Sequence, residues 1–484
     1  MPELRATNNE QLEAVIGLEI HVQLSTRTKM FCGCALSFGD EPNVHTCPVC
    51  LAHPGVLPVT NEAAIRYALQ IALALECEVA PRSIFHRKNY FYPDNPKAYQ
   101  ISQYDFPLAT AGRLGEVRIH RVHLEEDAAK MIHLGESGRI HGSGESLVDF
   151  NRAGTPLVEI VSEPDIRSAA QAREWAQLLR TTVRQLGVSD VNMEEGSLRV
   201  DANVSVRPAG SEELGTKTEL KNMNSFRFLE RGIEAELERQ RGLLESGGGV
   251  VQETLHFDPA SGTLTPLRSK EEAHDYRYFP EPDLVPVAPS EEMLSEAREA
   301  LPELPAARAG RYEEMGLAVE TAQRLAADPG TGDYFEQTAA AASAEPRVVA
   351  NWVTGELAAV LRQDGGEAGP ADSRVSPEAL ARLIGLVAEK RISHGSGKQV
   401  LALLAAEGGD PEKLVEREGL AQISDSGELE TVVAAAIEAN PEAAEQVRSG
   451  NAKAAGVIVG AVMKETKGRA DGGEVSRLIR EQLG

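Results

Sequence analysis

The sequence lacks any run of about 18 apolar residues, so it contains no candidate transmembrane helix. Its first ten residues are polar and hold no apolar core for a secretory signal. Cysteine is scarce: five in 484 residues cannot make a disulfide scaffold, and a reducing compartment is implied. Positive charge is in deficit, with 49 Lys and Arg against 74 Asp and Glu for a net charge of −25. That balance excludes a broadly basic nucleic-acid coat and a general affinity for anionic membrane, but not nucleic-acid binding through one local basic surface. The expectation is a cytoplasmic protein with no membrane partner. What the chain does have is length and apolar content, 484 residues and 42% hydrophobic, enough for about three domains of ordinary size.

Texture divides the chain. Up to Pro289, β-alternating runs mix with turns and a few helices. From Ser290 onward the pattern is almost wholly helical, rich in Ala, Leu, Glu and Arg. Breaks at Asp364–Pro377, Ser393–Gly397 and Gly408–Pro411 punctuate that half. The expected domains are a mixed body over 1–289, a helical domain over 290–407 and a small helical tail over 408–484. In the body, Leu18, Ile20, Val22 and Leu24 alternate with Glu19, His21 and Gln23. Leu198 to Val206 alternates in the same way around Arg199, Asp201, Asn203 and Ser205. Both patterns predict strands with one apolar and one polar face. Ser168 and Gln171 form a capping box for a helix striped by Ala172, Trp175, Leu179, Val183 and Leu186, which Gly187 ends.

Four of the five cysteines crowd into one stretch. Cys32 and Cys34 are followed by Cys47 and Cys50, two close pairs that suit tetrahedral zinc. The first pair is tighter than usual, and His45 and His53 stand nearby as substitute ligands. A closed four-thiolate site leaves no open position, so its expected role is structural; unrelated buried cysteines are the ordinary alternative.

Glu19 and His21 are two apart on a strand and leave from the same face, which suits a divalent metal or acid–base work as well as a solvated polar face. Glu159 lies within the apolar run Leu157 to Val161, where an unpaired charge would be costly and a cationic partner would offset it. Glu125, Glu126 and Asp127 form an acidic trio that hard cations favour, with a solvated turn as the alternative. Two segments interleave cations with aromatics, Arg87 to Gln100 and Tyr276 to Asp283, each able to meet phosphates and a planar base or to pack as an aromatic corner. Lys217, Glu219 and Lys221 share one strand face. The string Gly395-Ser396-Gly397-Lys398 is P-loop-like, but Gln399 replaces the hydroxyl that would meet magnesium and no strand precedes it, so a helix-to-helix turn is expected. Residues 406–450 hold three basic and eleven acidic groups, whereas 451–484 hold six and four. Lys453, Lys464, Lys467 and Arg469 thus make a local cationic end that could meet RNA phosphates or be a solvated helix face.

Several long strings, in order, resemble the B subunit of the tRNA-dependent amidotransferase, the GatB family. They are Gly17 to Leu24, Arg87 to Gln100, Leu124 to Asp127, Asn151 to Glu159, Val161 to Arg167, Met193 to Arg199 and Tyr276 to Asp283. Gly456 to Lys464 is similar to the end of a YqeY-like domain, so the resemblance spans nearly the whole chain.

The resemblance implies an α+β protein: a cradle-like body on a largely antiparallel sheet, an all-helical domain and a small helical tail that meets tRNA. It also implies a ligase that forms a carbon–nitrogen bond with glutamine as amido donor, as one subunit of a heterotrimer. ATP would phosphorylate the side-chain carboxylate of mischarged Glu-tRNA(Gln) or Asp-tRNA(Asn). Ammonia from the glutaminase A subunit would then displace phosphate, with the C subunit wrapping the A–B pair. By motif, Glu19, His21, Glu126 and Glu159 would hold Mg2+. Lys88 would face the phosphates, and Asp201 and Glu219 would complete the ATP site. Lys88, Glu126 and Glu219 are the expected catalytic groups. The string alone does not decide between Glu125 and Glu126. Cys32, Cys34, Cys47 and Cys50 match the family's zinc-carrying branch. Two other readings compete: a non-catalytic zinc-bearing tRNA-binding scaffold, and a zinc hydrolase, which four thiolates disfavour for want of an open site.

Overall fold

The computed structural model describes residues 12–134, 144–221, 223–269, 276–363, 369–421, 426–449, 451–466 and 469–483. They form two compact units, divided between Leu304 and Pro305.

The first unit is built on strands β1 (Leu12–Gln23), β2 (Glu78–Val79), β3 (His86–Asn89), β4 (Tyr99–Ser102), β5 (Ala109–Leu114), β6 (Val117–Glu126), β7 (Lys130–Leu134), β8 (Glu145–Asp149), β9 (Pro156–Ser162), β10 (Leu198–Pro208), β11 (Thr218–Lys221), β12 (Glu253–Asp258), β13 (Thr263–Ser269) and β14 (Phe279–Pro280). Nine of them make one sheet in the order β13-β12-β11-β10-β1-β9-β6-β5-β2, antiparallel at every junction except β11–β12. The mixed α+β architecture and the largely antiparallel sheet are as expected.

Strand β1 sits at the centre because its alternation supplies a dry face. Leu18, Ile20 and Val22 are fully buried in one core with Leu69 of helix α1 (Glu62–Ala74), Leu179 and Val183 of helix α2 (Ala169–Gln185), and Leu229 and Ile233 of helix α3 (Phe226–Glu245). Burying each such side chain contributes about 1.5–3 kcal/mol. Glu19 and His21 therefore leave from the opposite face, away from the helices. Helix α2 starts where Ser168 accepts from the Gln171 amide and ends before Gly187, whose φ of +69° suits the left-handed exit. The helix Glu291–Glu299 opens the helical half of the sequence, yet it packs through Ala297 into the core of the body, which carries the first unit on to Leu304.

The described residues of the second unit are helical and form two apolar cores. One gathers residues from Ala309 to Leu420, the other residues from Leu429 to Leu483. Helix Pro411–Glu418 joins the earlier core through Leu414 and Val415. The P-loop-like string is not a turn between helices: Ser393 caps a helix over His394–Glu407, and the string forms its first turns. A Cβ on Gly397 would come within 2.9 Å of Val387, so the glycine serves close packing. Residues 364–368 of the anticipated break lie outside the described residues.

Candidate functional site

The sheet register assembles the polar face. His21 on β1 lies opposite Arg199 on β10 and Glu159 on β9, and Glu159 lies opposite His123 on β6. Glu19 lies opposite Asp201. Four adjacent strands thus deliver Arg199, His21, Glu159 and His123 as one row. His21 Nε2 is 3.5 Å from both Glu125 Oε1 and Glu159 Oε2, and 3.9 Å from Glu19 Oε1. Ligand atoms of His21, Glu125 and Glu159, and of Glu19, His21 and Asp201, each lie within 4.8 Å of one another. A cavity of about 360 Å³ opens here, walled by Glu19, His21, Lys88, Glu125, Asp201 and Lys221 among others.

Of the acidic pair left open by the sequence, Glu125 joins this cluster and Glu126 does not, contrary to the expected ligand set. The reason is the period of two. Arg121, His123 and Glu125 point one way from β6, while Val122, Leu124 and Glu126 point the other. Glu126 instead takes an ion pair from Lys97 at 2.7 Å and the Ile101 amide at 3.0 Å. It lines a second cavity of about 260 Å³ that also touches Lys29, Cys32 and Cys50.

Of the other expected residues, Lys88 and Asp201 line the first cavity and Glu219 stands one residue behind it. Lys88, on β3, reaches the first cavity with its Nζ 4.9 Å from the Tyr276 ring centre. The two aromatic–cationic segments lie side by side. Phe279 pairs with Arg87 across β14 and β3, Arg87 clamps Glu281 through contacts of 2.7 and 2.8 Å, and Asn89 donates to the Tyr276 and Arg277 carbonyls. Asp201 meets Lys221 at 3.0 Å, and Glu219 meets it at 2.9 Å while accepting from Thr254. Glu219 thus reaches the cavity through Lys221. Strand β11 is fixed from below by buried Thr218, which donates to Glu236, and by Gln240.

Crowding four carboxylates on one face shapes their charge. Burial and the Glu159 charge push Glu19 upward. Burial would also raise Glu159, but His123 and His21 hold it well below the usual carboxylate range. His21 rises to about 9: burial opposes its charge, and contact with Glu159 and the Glu125 charge outweigh it. Lys88 and Lys221 stay charged more firmly than a free lysine despite burial, Lys88 through Tyr278, Glu125 and Glu159, Lys221 through Asp201 and Glu219. The donor set is mostly hard oxygen and fits a divalent cation; until one binds, the His21 proton balances part of the negative charge.

Cys32, Cys34, Cys47 and Cys50 bring their sulfurs within 4.8 Å of one another, with Cys47 and Cys50 3.9 Å apart. A tetrahedron of thiolates at a zinc–sulfur distance of about 2.3 Å has edges near 3.8 Å, so the cluster can hold a metal. Hydrogen bonding from Cys32 pulls the Cys50 thiol down to about 4, and buried Lys29 assists with its Nζ 3.7 Å away. Of the tail cations, Lys453 and Lys464 are exposed, Arg469 is half-buried with its Nε donating to the Thr466 carbonyl, and Lys467 lies outside the described residues. The sequence motifs single out none of Arg121, His123 and Arg199 as site residues, and they include Lys97 only as one cation within Arg87 to Gln100. Continuing the alternation of β6 outward from Glu125 would have found Arg121 and His123; Lys97 left no periodic trace.

Two family models match the chain: the GatB/GatE catalytic domain over residues 14–295 and the GatB domain over residues 333–483. Among curated proteins, the B subunit of the aspartyl/glutamyl-tRNA(Asn/Gln) amidotransferase of Brevibacillus brevis is 51% identical over 97% of this chain and 98% of its own length. The proteins of the same name from Persephonella marina and Thermus thermophilus are 48% and 49% identical, each over 98% of this chain. The match covers 100% of the Persephonella protein and 99% of the Thermus protein.

Proposed function

Because the chain belongs to the GatB family of amidotransferase B subunits, we propose that its polar sheet face phosphorylates the side-chain carboxylate of a mischarged tRNA and amidates it. The observation that carries this reading is the convergence of Glu19, His21, Glu125 and Asp201 with Lys88 and Lys221 on one cavity, with Glu159 within ligand distance of His21 and Glu125.

A carboxylate does not accept ammonia until one oxygen becomes a leaving group. A side-chain oxygen of the Glu or Asp attacks the γ-phosphorus of ATP, the bond to the β–γ bridging oxygen breaks, and an acyl phosphate and ADP result. Ammonia then adds to the acyl carbon, loses a proton, and expels inorganic phosphate to leave the amide. Phosphoryl transfer needs positioning and charge neutralisation more than covalent help. Lys88, held by Tyr276 and the Glu125 and Glu159 charges, supplies a fixed cation at the cavity. Lys221 supplies another, steered by Asp201 and Glu219. Arg199 is anchored by Asp127 at 3.0 Å and adds a third. Magnesium held by Glu19, Glu125 and Glu159 beside His21 would screen the phosphate charge. Zinc at the four cysteines would brace the loop that walls the second cavity.

Ammonia from a glutaminase A subunit, in a heterotrimer closed by a C subunit, must enter without water competing. Between the two cavities lies a third of about 10 Å³, touching Lys97, Glu126 and Gly154 of one and Tyr90, Gln100 and Asp127 of the other. Room for about one water-sized molecule is enough for ammonia. The buried Lys97–Glu126 pair stands on that line. Lys97→Met is therefore expected to lower glutamine-driven amide formation by about tenfold or more, the scale of 1.4 kcal/mol. ATP hydrolysis should continue, and comparing glutamine with added ammonium as nitrogen source checks it.

Two further outcomes test the parts. Cys47→Ser should reduce zinc from about one per chain to near zero and lower the unfolding temperature, by metal analysis and calorimetry. Deleting residues 422–484, beyond the core that ends at Leu420, should weaken tRNA binding and flatten its salt dependence, while tRNA-independent ATP hydrolysis persists. Equal tRNA affinity would remove the tail from the binding account. The reading as a whole is tested by giving the purified complex both mischarged tRNAs, ATP and glutamine. Amide should form on one or both, and Glu19→Ala should abolish it with tRNA binding intact; unchanged amidation in that variant would leave only a scaffold.

A further inference from the structure

We propose that Arg121 and His123 are positioning residues that orient Glu159 toward the metal, an inference that rests on the metal-binding reading above. His123 is 2% exposed and stands behind the cavity wall rather than in it. Its Nδ1 is 3.3 Å from Arg121 Nε. A guanidinium only donates, so Nδ1 offers its lone pair to Arg121 and Nε2 is the ring nitrogen left to donate. That nitrogen faces Glu159 Oε2 at 3.3 Å, and Arg121 Nη2 reaches Glu159 Oε1 at 3.2 Å. One nitrogen thus lies within 3.3 Å of each Glu159 oxygen, Arg121 by a hydrogen bond and His123 by ion-pair contact, and the triangle Arg121–His123–Glu159 closes on itself.

The consequence is orientation. A carboxylate oxygen has two lone-pair directions, and occupying one of each leaves the others for a metal beside His21, whose Nε2 is 3.5 Å from Glu159 Oε2. Glu125 is held in a similar way, its Oε2 accepting from Ser102 Oγ at 3.2 Å with His123 Nε2 3.9 Å away. One imidazole thus lies behind both acidic groups of the triad formed with His21. Partners of this kind typically change metal affinity by about 10–100-fold when removed, because the ligand loses its aim rather than its charge. A merely structural ion pair would change the unfolding temperature and leave the folded protein's metal affinity alone.

The test titrates Mn2+ into the intact, zinc-loaded complex and reads free Mn2+ by electron paramagnetic resonance, with melting temperatures recorded alongside. His123→Ala should weaken Mn2+ binding by about 10–100-fold. His123→Gln, which keeps a donor and an acceptor, should restore it to within about threefold of the wild type, as a retained hydrogen-bond pair implies. Arg121→Gln, at a partly exposed position, serves if His123→Ala does not fold, and should also weaken binding. Wild-type Mn2+ affinity in folded His123→Ala or Arg121→Gln overturns the positioning role while leaving the metal site standing. If the wild-type complex itself takes up no Mn2+ that Glu125→Ala abolishes, the metal reading fails, and this inference with it.

Discussion

Replacing Glu125 with alanine is expected to lower ATP-dependent phosphorylation of the aminoacyl group by roughly 10²–10³-fold, the scale for losing one preorganised electrostatic group. Glu126→Ala, one residue on, should leave that step nearly intact. The two side chains leave opposite faces of β6: Glu125 stands 3.5 Å from His21, while Glu126 is paired with Lys97 on the other side. Loss of Glu126 should instead show as ATP hydrolysis uncoupled from glutamine-driven amidation. Single-turnover phosphate release and amide formation, measured on both variants, separate the outcomes. A severe loss of phosphorylation in Glu126→Ala with normal rates in Glu125→Ala would invert the account.

Lys88→Met is the second large effect. The ammonium faces Glu125 and Glu159 and rests on Tyr276, a setting that fixes a cation where the γ-phosphoryl charge moves. Removing a cation that stabilises that transition state costs about 10³-fold or more in related chemistry. The loss should lie in turnover, with tRNA affinity unchanged. Lys88→Arg should not rescue it, because a planar guanidinium does not match the compact ammonium in an aromatic corner. Quench-flow measurement of phosphate formation with saturating ATP checks both. Wild-type turnover in Lys88→Met would remove Lys88 from the reaction.

Much of this face was legible in the sequence, where the period of two carries the message. Leu18, Ile20 and Val22 declared the dry side of β1 and so put Glu19 and His21 on the other. The run around Glu159 gave it away through the cost of a charge among apolar neighbours. Glu125 and Glu126 could not be told apart as an acidic pair, although the alternation Arg121-Val-His-Leu-Glu125 contains the answer. What no period encodes is register across the sheet. That His21 and His123 flank Glu159 depends on strands far apart in sequence lying side by side. The same holds for Lys97, which sits in a loop and meets Glu126 only once β4 and β6 are placed. The P-loop-like string failed in the reverse direction, because Ser393 capping and close packing at Gly397 draw those glycines into a helix.

The most direct test of the central claim follows oxygen. Mischarged tRNA carrying 18O in both side-chain carboxylate oxygens of its Glu or Asp is given to the complex with ATP and glutamine, and the released phosphate is analysed by mass spectrometry. Attack of the carboxylate on the γ-phosphorus followed by displacement with ammonia must leave one 18O in each phosphate formed per amide. Amide formation accompanied by unlabelled phosphate would contradict the acyl-phosphate route, and with it the role assigned to this face of the sheet.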